Sequence, residues 1–280
     1  MNYLTTACIA KDEDLYLEEW VNFHRAVGSE HIYIYDNESK VAIKQLLSKY
    51  IDAGVVTVIE MAGRHIQMDA YDHCLKNFGP TSKWISFIDV DEFLVPKSAN
   101  TLPEILSEYE QYGGLASHWI WYGSGGLVHR PEGLVIENFT KAAPKNWCMH
   151  RHVKSIVQPE RTKSHGDPHW FEYNEPYHAV LENHVKIDRS IAFPCTSCGK
   201  PNILENHDCG GEVNVNKIQT NHYFTKSFNE FMIRHYRGMA YTHSETRSSI
   251  AGYEKVTRVC DVESKDAAKF ADKVKSLYIK

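Results

Sequence analysis

Leu4-Thr5-Thr6-Ala7-Cys8-Ile9-Ala10, then Leu17, Trp20, Val21, His24 and Val27, then His31-Ile32-Tyr33-Ile34-Tyr35: this opening stretch of the 280-residue chain decides the fold. The first segment is a short apolar run suited to a buried strand. The second places large side chains at i, i+3, i+4 and i+7, the period of a helix. Asp12-Glu13-Asp14 stands ahead of it as acidic residues at a helix N-terminus, and Gly28 is its stop. The third segment is a strand that ends at Asp36-Asn37.

The unit then repeats. Ile43, Leu46, Leu47, Tyr50 and Ile51 form a helical stripe closed by Gly54, and Val55-Val56-Thr57-Val58-Ile59 is a strand. Gln67 to Phe78 reads as a helix closed by Gly79-Pro80, and Trp84-Ile85-Ser86-Phe87-Ile88 as a fourth strand ending at Asp89. Strands that alternate with helices over short loops run parallel, which predicts a doubly wound α/β sheet. Such sheets bind ligands beyond the carboxyl ends of their strands. Lys11, Asp36 and Asp89 all fall at that edge.

Beyond residue 113 the pattern is shorter in wavelength. Leu115 to Tyr122 predicts a strand, Gly123-Ser124-Gly125-Gly126 a turn, and Val153 to Val157, Ala179 to Leu181 and Ile191 to Phe193 are brief apolar runs. Ser227-Phe228-Asn229-Glu230 is a capping box, opening a helix with Phe228, Phe231, Met232, His235 and Met239 on one face. Ala267 to Leu277 predicts a terminal helix. Without a linker or repeat, residues 1–280 read as one domain with an elaborated C-terminal half.

Composition narrows the partners. Hydrophobic residues at 42% and charged residues at 24% are ordinary for a globular protein. A formal net charge of -5 argues against a nucleic-acid binder, which needs a basic face for phosphates. No run has the length of a membrane span. Met1 to Ala10 lacks a basic leader and enters a strand at once, which predicts a cytoplasmic chain, and seven Cys then read as reduced thiols.

Asp89-Val90-Asp91 carries the chemistry. Two Asp at i and i+2 just past a buried strand point oxygens into one cleft, as Mg²⁺ and Mn²⁺ require. A metal there would neutralise charge developing on a diphosphate. Asp12-Glu13-Asp14 has the same spacing, and only the preceding strand sets the Asp89 pair apart. The competing reading of Asp89 and Asp91 is turn and cap chemistry at a strand-to-helix junction.

Several segments now combine. They are Cys8-Ile9-Ala10-Lys11-Asp12-Glu13 with Leu17-Glu18-Glu19-Trp20 and Phe23-His24, Tyr33-Ile34-Tyr35-Asp36-Asn37-Glu38-Ser39, and Ile88-Asp89-Val90-Asp91-Glu92-Phe93. Gly123-Ser124-Gly125-Gly126 follows, then Asn221-His222-Tyr223-Phe224-Thr225-Lys226-Ser227 and Arg237-Gly238. In this order the chain resembles glycosyltransferase family 92 and related bacterial family 2-type enzymes of the GT-A fold. The family usually has Asn where Asp12 stands. The resemblance implies a GT-A-type, Rossmann-like mixed sheet flanked by helices. Residues 1–112 would form the nucleotide-sugar-binding half and residues 113–280 the acceptor-binding half. It further implies an inverting, metal-dependent transferase that moves galactose or a related hexose from a UDP-sugar to a glycan or lipid-linked glycan.

Roles follow from the resemblance. Ala10, Lys11, Glu13 and Asp36 would hold the uridine, although Asp36 also reads as an Asx-type turn with Asn37. Gln67 and Asp72 would face the nucleotide from their helix, with Asp69 as a helix-dipole charge. Asp89 and Val90 would meet the donor, and Asp89, Asp91 and His222 would hold Mn²⁺ or Mg²⁺. Lys226, beside a helix N-terminus, would bind phosphate oxygens, with Arg237 as a second candidate. The general base would be Glu137 or Asp208, with Asp167 and Glu182 also in range. Trp119, Trp121 and Tyr122 stack either on sugar faces or in the core.

Cys195, Cys198, His207 and Cys209 stand apart as four soft ligands with zinc-ribbon-like spacing, for a structural Zn²⁺ or as unligated thiols. A lipid-linked acceptor would imply peripheral contact at the inner face of a membrane, for which no basic amphipathic segment speaks. Two rivals stand. A nucleotidyltransferase making a nucleotide-sugar would need a Gly-rich basic loop where Ala10-Lys11-Asp12-Glu13 is acidic. A non-catalytic nucleotide-sugar-binding module would have little use for a metal.

Overall fold

The computed structural model of the chain describes residues 1–187, 212–237 and 249–279. Its first half runs β1 (Asn2–Ala10), α1 (Leu17–Ala26), β2 (His31–Asp36), α2 (Ile43–Leu46), α3 (Ser48–Asp52), β3 (Val56–Glu60), α4 (Gln67–Phe78) and β4 (Ser82–Phe87). The middle adds β5 (Glu92–Pro96), α5 (Leu102–Leu106), β6 (Gly114–Trp121), α6 (Val135–Asn138), β7 (Lys141–Ala142) and β8 (Val153–Val157). Then come β9 (Thr162–His165), β10 (Phe171–Tyr173), β11 (Ala179–Leu181), β12 (Ile218–His222), α7 (Phe228–Arg237), α8 (Ile250–Val259), β13 (Val262–Glu263) and α9 (Ala271–Ser276).

The main sheet has the order β3-β2-β1-β4-β8-β6-β12-β5, with β11 beside β6. β3, β2, β1 and β4 are parallel, as the alternation predicts. β8 runs antiparallel to both β4 and β6, and β12 is parallel to β6. β1, β2, β4, β6 and β12 therefore all end at one edge, and β5, antiparallel to β12, begins there. The sheet is mixed.

Strand periodicity sorts the core. Leu4, Cys8 and Ala10 of β1 pack with Trp20, Val21 and Val27 on one face, while Ala7 and Ile9 pack with Ala70, Tyr71 and Cys74 of α4 on the other. A strand buried on both faces needs no polar side, which is why β1 reads as a continuous apolar run. Gly28 ends α1 with φ 111°, and a Cβ there would lie 2.6 Å from Pro103 Cδ. α9 follows Phe270, whose ring meets Phe23 of α1 edge-on at 5.7 Å.

Three local expectations are corrected. Asp12-Glu13-Asp14 lies before α1, whose first-turn acids are Glu18 and Glu19. Asp12 has φ 52° and its Oδ1 accepts from the Lys40 amide. The stripe over residues 43–51 is two short helices that break at Leu47. The strand before Asp89 leads into β5, not into a helix. The runs at Val153 to Val157 and Ala179 to Leu181 are strands as read, whereas Ile191 to Phe193 and Met239 lie outside the described residues. No helix among the described residues is long and apolar enough to cross a membrane.

Candidate active site

The β4–β5 loop is fixed from four sides. The Ile88 amide donates to Ala7 O at 3.2 Å and the Tyr223 amide to Asp91 O at 2.8 Å. The Trp20 indole N–H, from α1, donates to Asp89 O at 3.1 Å and Glu92 O at 2.9 Å. The Asp89 amide donates to Glu92 Oε2 at 2.8 Å, closing the turn on itself. A loop so tied presents Asp89 and Asp91 in one conformation.

The two carboxylates meet different partners. Asp89 Oδ1 accepts from Gln67 Nε2 at 2.8 Å, and Oδ2 lies 2.9 Å from Lys154 Nζ. Lys154, on β8, is fully buried and also lies 3.2 Å from Glu92 Oε2. Burial alone would lower the Lys154 pKa, but Asp89 and Glu92 overcome it and hold the ammonium above its ordinary value. Burial pushes the Glu92 carboxyl up against the pull of Lys154. Asp91 is buried, and its Oδ2 lies 3.2 Å from His222 Nε2 and 2.5 Å from Arg234 Nη2. Arg234, on α7, also donates to Phe224 O at 2.8 Å. His222 ends β12 in register with Glu92 of β5 and Trp121 of β6, so sheet pairing brings it to Asp91 across 131 residues.

This geometry suits a small divalent cation in a particular way. A separation of 3.2 Å between Asp91 Oδ2 and His222 Nε2 matches two adjacent ligand atoms on one cation with bonds of about 2.1 Å. Asp89 has one oxygen on Gln67 and one on Lys154. Among the described residues, no group of three or more His, Cys, Asp or Glu side chains stands ready to hold a metal ion. Asp91 and His222 would offer a cation two protein ligands, and Mg²⁺ or Mn²⁺ commonly takes one or two and fills the rest with water and substrate phosphate. A cation at Asp91 would share that oxygen with Arg234 or displace it.

The other residues singled out by sequence divide. Ala10 ends β1 and its carbonyl accepts from the Asn37 amide at 2.9 Å. Asp36 accepts from the Ser39 amide at 2.9 Å and the Ile43 amide at 3.1 Å, so it forms the turn. Lys11 lies 4.0 Å from Glu38 at the same edge, partly exposed. Val90 is buried beneath the loop. Asp72 turns to His165 Nδ1 at 2.7 Å, whereas Gln67 and Tyr71 form the face of α4 that reaches Asp89.

Lys226, read as a phosphate ligand or else a solvated surface charge, faces protein groups rather than solvent. It is buried with φ 49°, its Nζ 3.4 Å from the centre of the Tyr16 ring and 3.9 Å from Glu13 Oε2. The Ser227 capping box forms in part: the Ser227 amide and hydroxyl both donate to Glu230 Oε2. Glu137 pairs with Lys275 at 2.6 Å on the C-terminal helix. Asp167 accepts from the His169 and Trp170 amides, and Glu182 from the amides of residues 216–218, so both serve the backbone. Asp208 and the Cys195, Cys198, His207 and Cys209 group lie outside the described residues, as does the side chain of Arg237.

Lys154, Arg234 and Glu92 were not singled out by sequence, though two carried a signal. A Lys inside the run Val153 to Val157, and an Arg three residues after Phe231 on a helix, are charges on buried faces.

The family model for glycosyltransferase family 92 matches residues 6–192, two thirds of the chain. The chain belongs to glycosyltransferase family 92. A family 92 protein of Ricinus communis is 29% identical over 164 residues, covering 55% of this chain and 28% of that protein. A galactan beta-1,4-galactosyltransferase of Arabidopsis thaliana is 27% identical over 171 residues, covering 54% of this chain and 33% of that one. The chain thus spans about a third or less of the length of these family 92 relatives. Among solved structures, S. aureus TarS 1-349 shares 12% identity over 56% of this chain and 47% of its own, with a TM-score of 0.38, a partial likeness only.

Proposed function

We propose that this family 92 chain is an inverting hexosyltransferase. It would move galactose or a related hexose from a UDP-sugar to a hydroxyl of a glycan or glycolipid. The observation that carries the reading is the approach of Asp91 and His222, 3.2 Å apart, at the edge where the parallel strands of the sheet end. The printed activity of the Arabidopsis relative favours galactose.

Asp91 and His222 would hold Mn²⁺ or Mg²⁺, which when bound offsets the negative charge on the donor's diphosphate. Asp89, bonded to Gln67 and Lys154, would accept from donor hydroxyls. Arg234, paired with Asp91, would add positive charge beside the leaving group. In the transfer, the acceptor oxygen bonds to the anomeric carbon from the face opposite the diphosphate. The carbon–oxygen bond to UDP breaks, and UDP leaves with the electron pair. The acceptor's proton passes to a carboxylate, for which Asp208 and Glu137 are the candidates.

A panel of sugar nucleotides, each incubated with the chain and Mn²⁺, tests the reading by release of UDP. A UDP-hexose should be turned over in preference to GDP- and CDP-sugars. Turnover of none, or equal turnover of all, would contradict it.

A further inference from the structure

One carboxylate oxygen at the sheet edge serves two partners. Asp91 Oδ2 lies 3.2 Å from His222 Nε2 and 2.5 Å from Arg234 Nη2. Arg234 is buried on α7, and its Nη1 donates to Phe224 O at 2.8 Å, an anchor that does not depend on Asp91. Burial opposes the charge on the guanidinium, and Asp91, Glu13 and Asp89 outweigh it. Three carboxylates here already face a cation of the chain: Asp89 with Lys154, Asp91 with Arg234, and Glu13 with Lys226.

This pairing sets a condition on any metal that takes Asp91. An ion bonded to Oδ2 at about 2.1 Å would lie no more than about 4.6 Å from Nη2 while both touched that oxygen. A dication and a guanidinium at that separation repel, and burial weakens the screening between them. The repulsion is offset when an anion enters with the metal, and a diphosphate is such an anion. A guanidinium pairs with phosphate oxygens by the same fork that it offers a carboxylate.

We propose that Arg234 makes metal binding and donor binding conditional on each other. Without nucleotide the guanidinium holds Asp91 and disfavours a lone dication there. With the diphosphate present, Arg234 turns from Asp91 to a phosphate oxygen, which releases the Asp91 carboxylate to the metal. Such coupling is reciprocal, so donor and metal each raise the other's affinity by the same factor. The inference rests on the metal reading above and adds the side chain that links the two ligands.

Electron paramagnetic resonance of free Mn²⁺ reads metal binding to the full chain, with and without UDP, corrected for Mn²⁺ held by UDP itself. Titration calorimetry reads UDP binding in excess Mn²⁺ and in EDTA. Wild type should bind Mn²⁺ about tenfold or more weakly without UDP than with it. Arg234→Gln should bind Mn²⁺ alone about tenfold more tightly than wild type. The same variant should bind UDP in excess Mn²⁺ roughly threefold or more weakly, the worth of one hydrogen bond. Opposite signs mark a gate, because a merely structural lesion weakens both. Arg234→Lys keeps the charge and should leave binding of Mn²⁺ alone near the wild-type value. If wild-type UDP binding needs Mn²⁺ but Arg234→Gln takes Mn²⁺ alone no better than wild type, the gate is wrong and the metal reading stands. If wild-type UDP binding is the same in Mn²⁺ and EDTA, the metal reading fails and the gate with it. A gain in Mn²⁺ binding that survives adding Asp91→Asn to Arg234→Gln would place the metal elsewhere and overturn the proposal. The wild-type comparison holds even where a variant does not fold: equal Mn²⁺ affinity with and without UDP overturns it alone.

Discussion

Replacing Lys154 by Met tests whether one buried ammonium holds the donor edge together. The side chain is fully buried and lies 2.9 Å from Asp89 Oδ2 and 3.2 Å from Glu92 Oε2, and the Glu92 side chain is itself fully buried. Met fills similar space, so the loss is one of charge. Removing one partner of a buried pair costs about 3–5 kcal/mol, because the remaining charge is stranded. With an unfolding entropy of about 2.1 cal/mol/K per residue, 280 residues give about 0.6 kcal/mol/K, so 4 kcal/mol lowers the melting midpoint by about 7 °C. Urea unfolding at pH 7.5, with the transition followed by far-UV circular dichroism, reads this directly. Adding Glu92→Gln to Lys154→Met replaces the buried carboxyl that has lost its partner and should restore part of the loss. A loss under about 1 kcal/mol for Lys154→Met, or a further loss on adding Glu92→Gln, would refute the reasoning.

Two other perturbations follow from the same geometry. Burial lowers the His24 pKa to about 3, so the folded chain refuses a proton that the unfolded chain takes below pH 6.5. That stability is complete above pH 6.5 and is lost as pH falls from 6.5 towards 3. His24→Gln should abolish about 1.4 kcal/mol of the wild-type loss between pH 7.5 and 5.5, and parallel urea curves for the two proteins would contradict it. Trp20→Phe removes the donor shared by Asp89 O and Glu92 O and should cost about 1–3 kcal/mol in the same assay, while also weakening UDP binding. Unaltered UDP affinity would show that the loop needs no such tie.

The parallel half of the fold was legible because strand and helix periods are local properties. β1 to β4 follow from spacing alone, and α4 has the bounds that Gln67 and Phe78 set, whereas the stripe over residues 43–51 gave no sign of its break at Leu47. The antiparallel insertion of β8 between β4 and β6 was not legible, since pairing across some seventy residues leaves no local period. The same limit hid the charges around Asp89-Val90-Asp91. Lys154 reaches Asp89 from 65 residues away and Arg234 reaches Asp91 from 143; their place on apolar faces signals burial but names no partner. His222 was legible only through the family resemblance. Lys226 was read from its place before a capped helix, and the contact of its ammonium with Tyr16 leaves no local sign in the sequence.

The central claim is that Asp91 and His222 seat a divalent metal that helps hold the donor's diphosphate. Titration calorimetry of UDP into the full chain, with Mn²⁺ and with EDTA, tests it most directly. The account predicts UDP binding with Mn²⁺ that weakens at least tenfold in EDTA, and the same weakening in Asp91→Asn whether or not Mn²⁺ is present. UDP binding indifferent to Mn²⁺, or an Asp91→Asn variant that binds UDP as the wild type does, would contradict it.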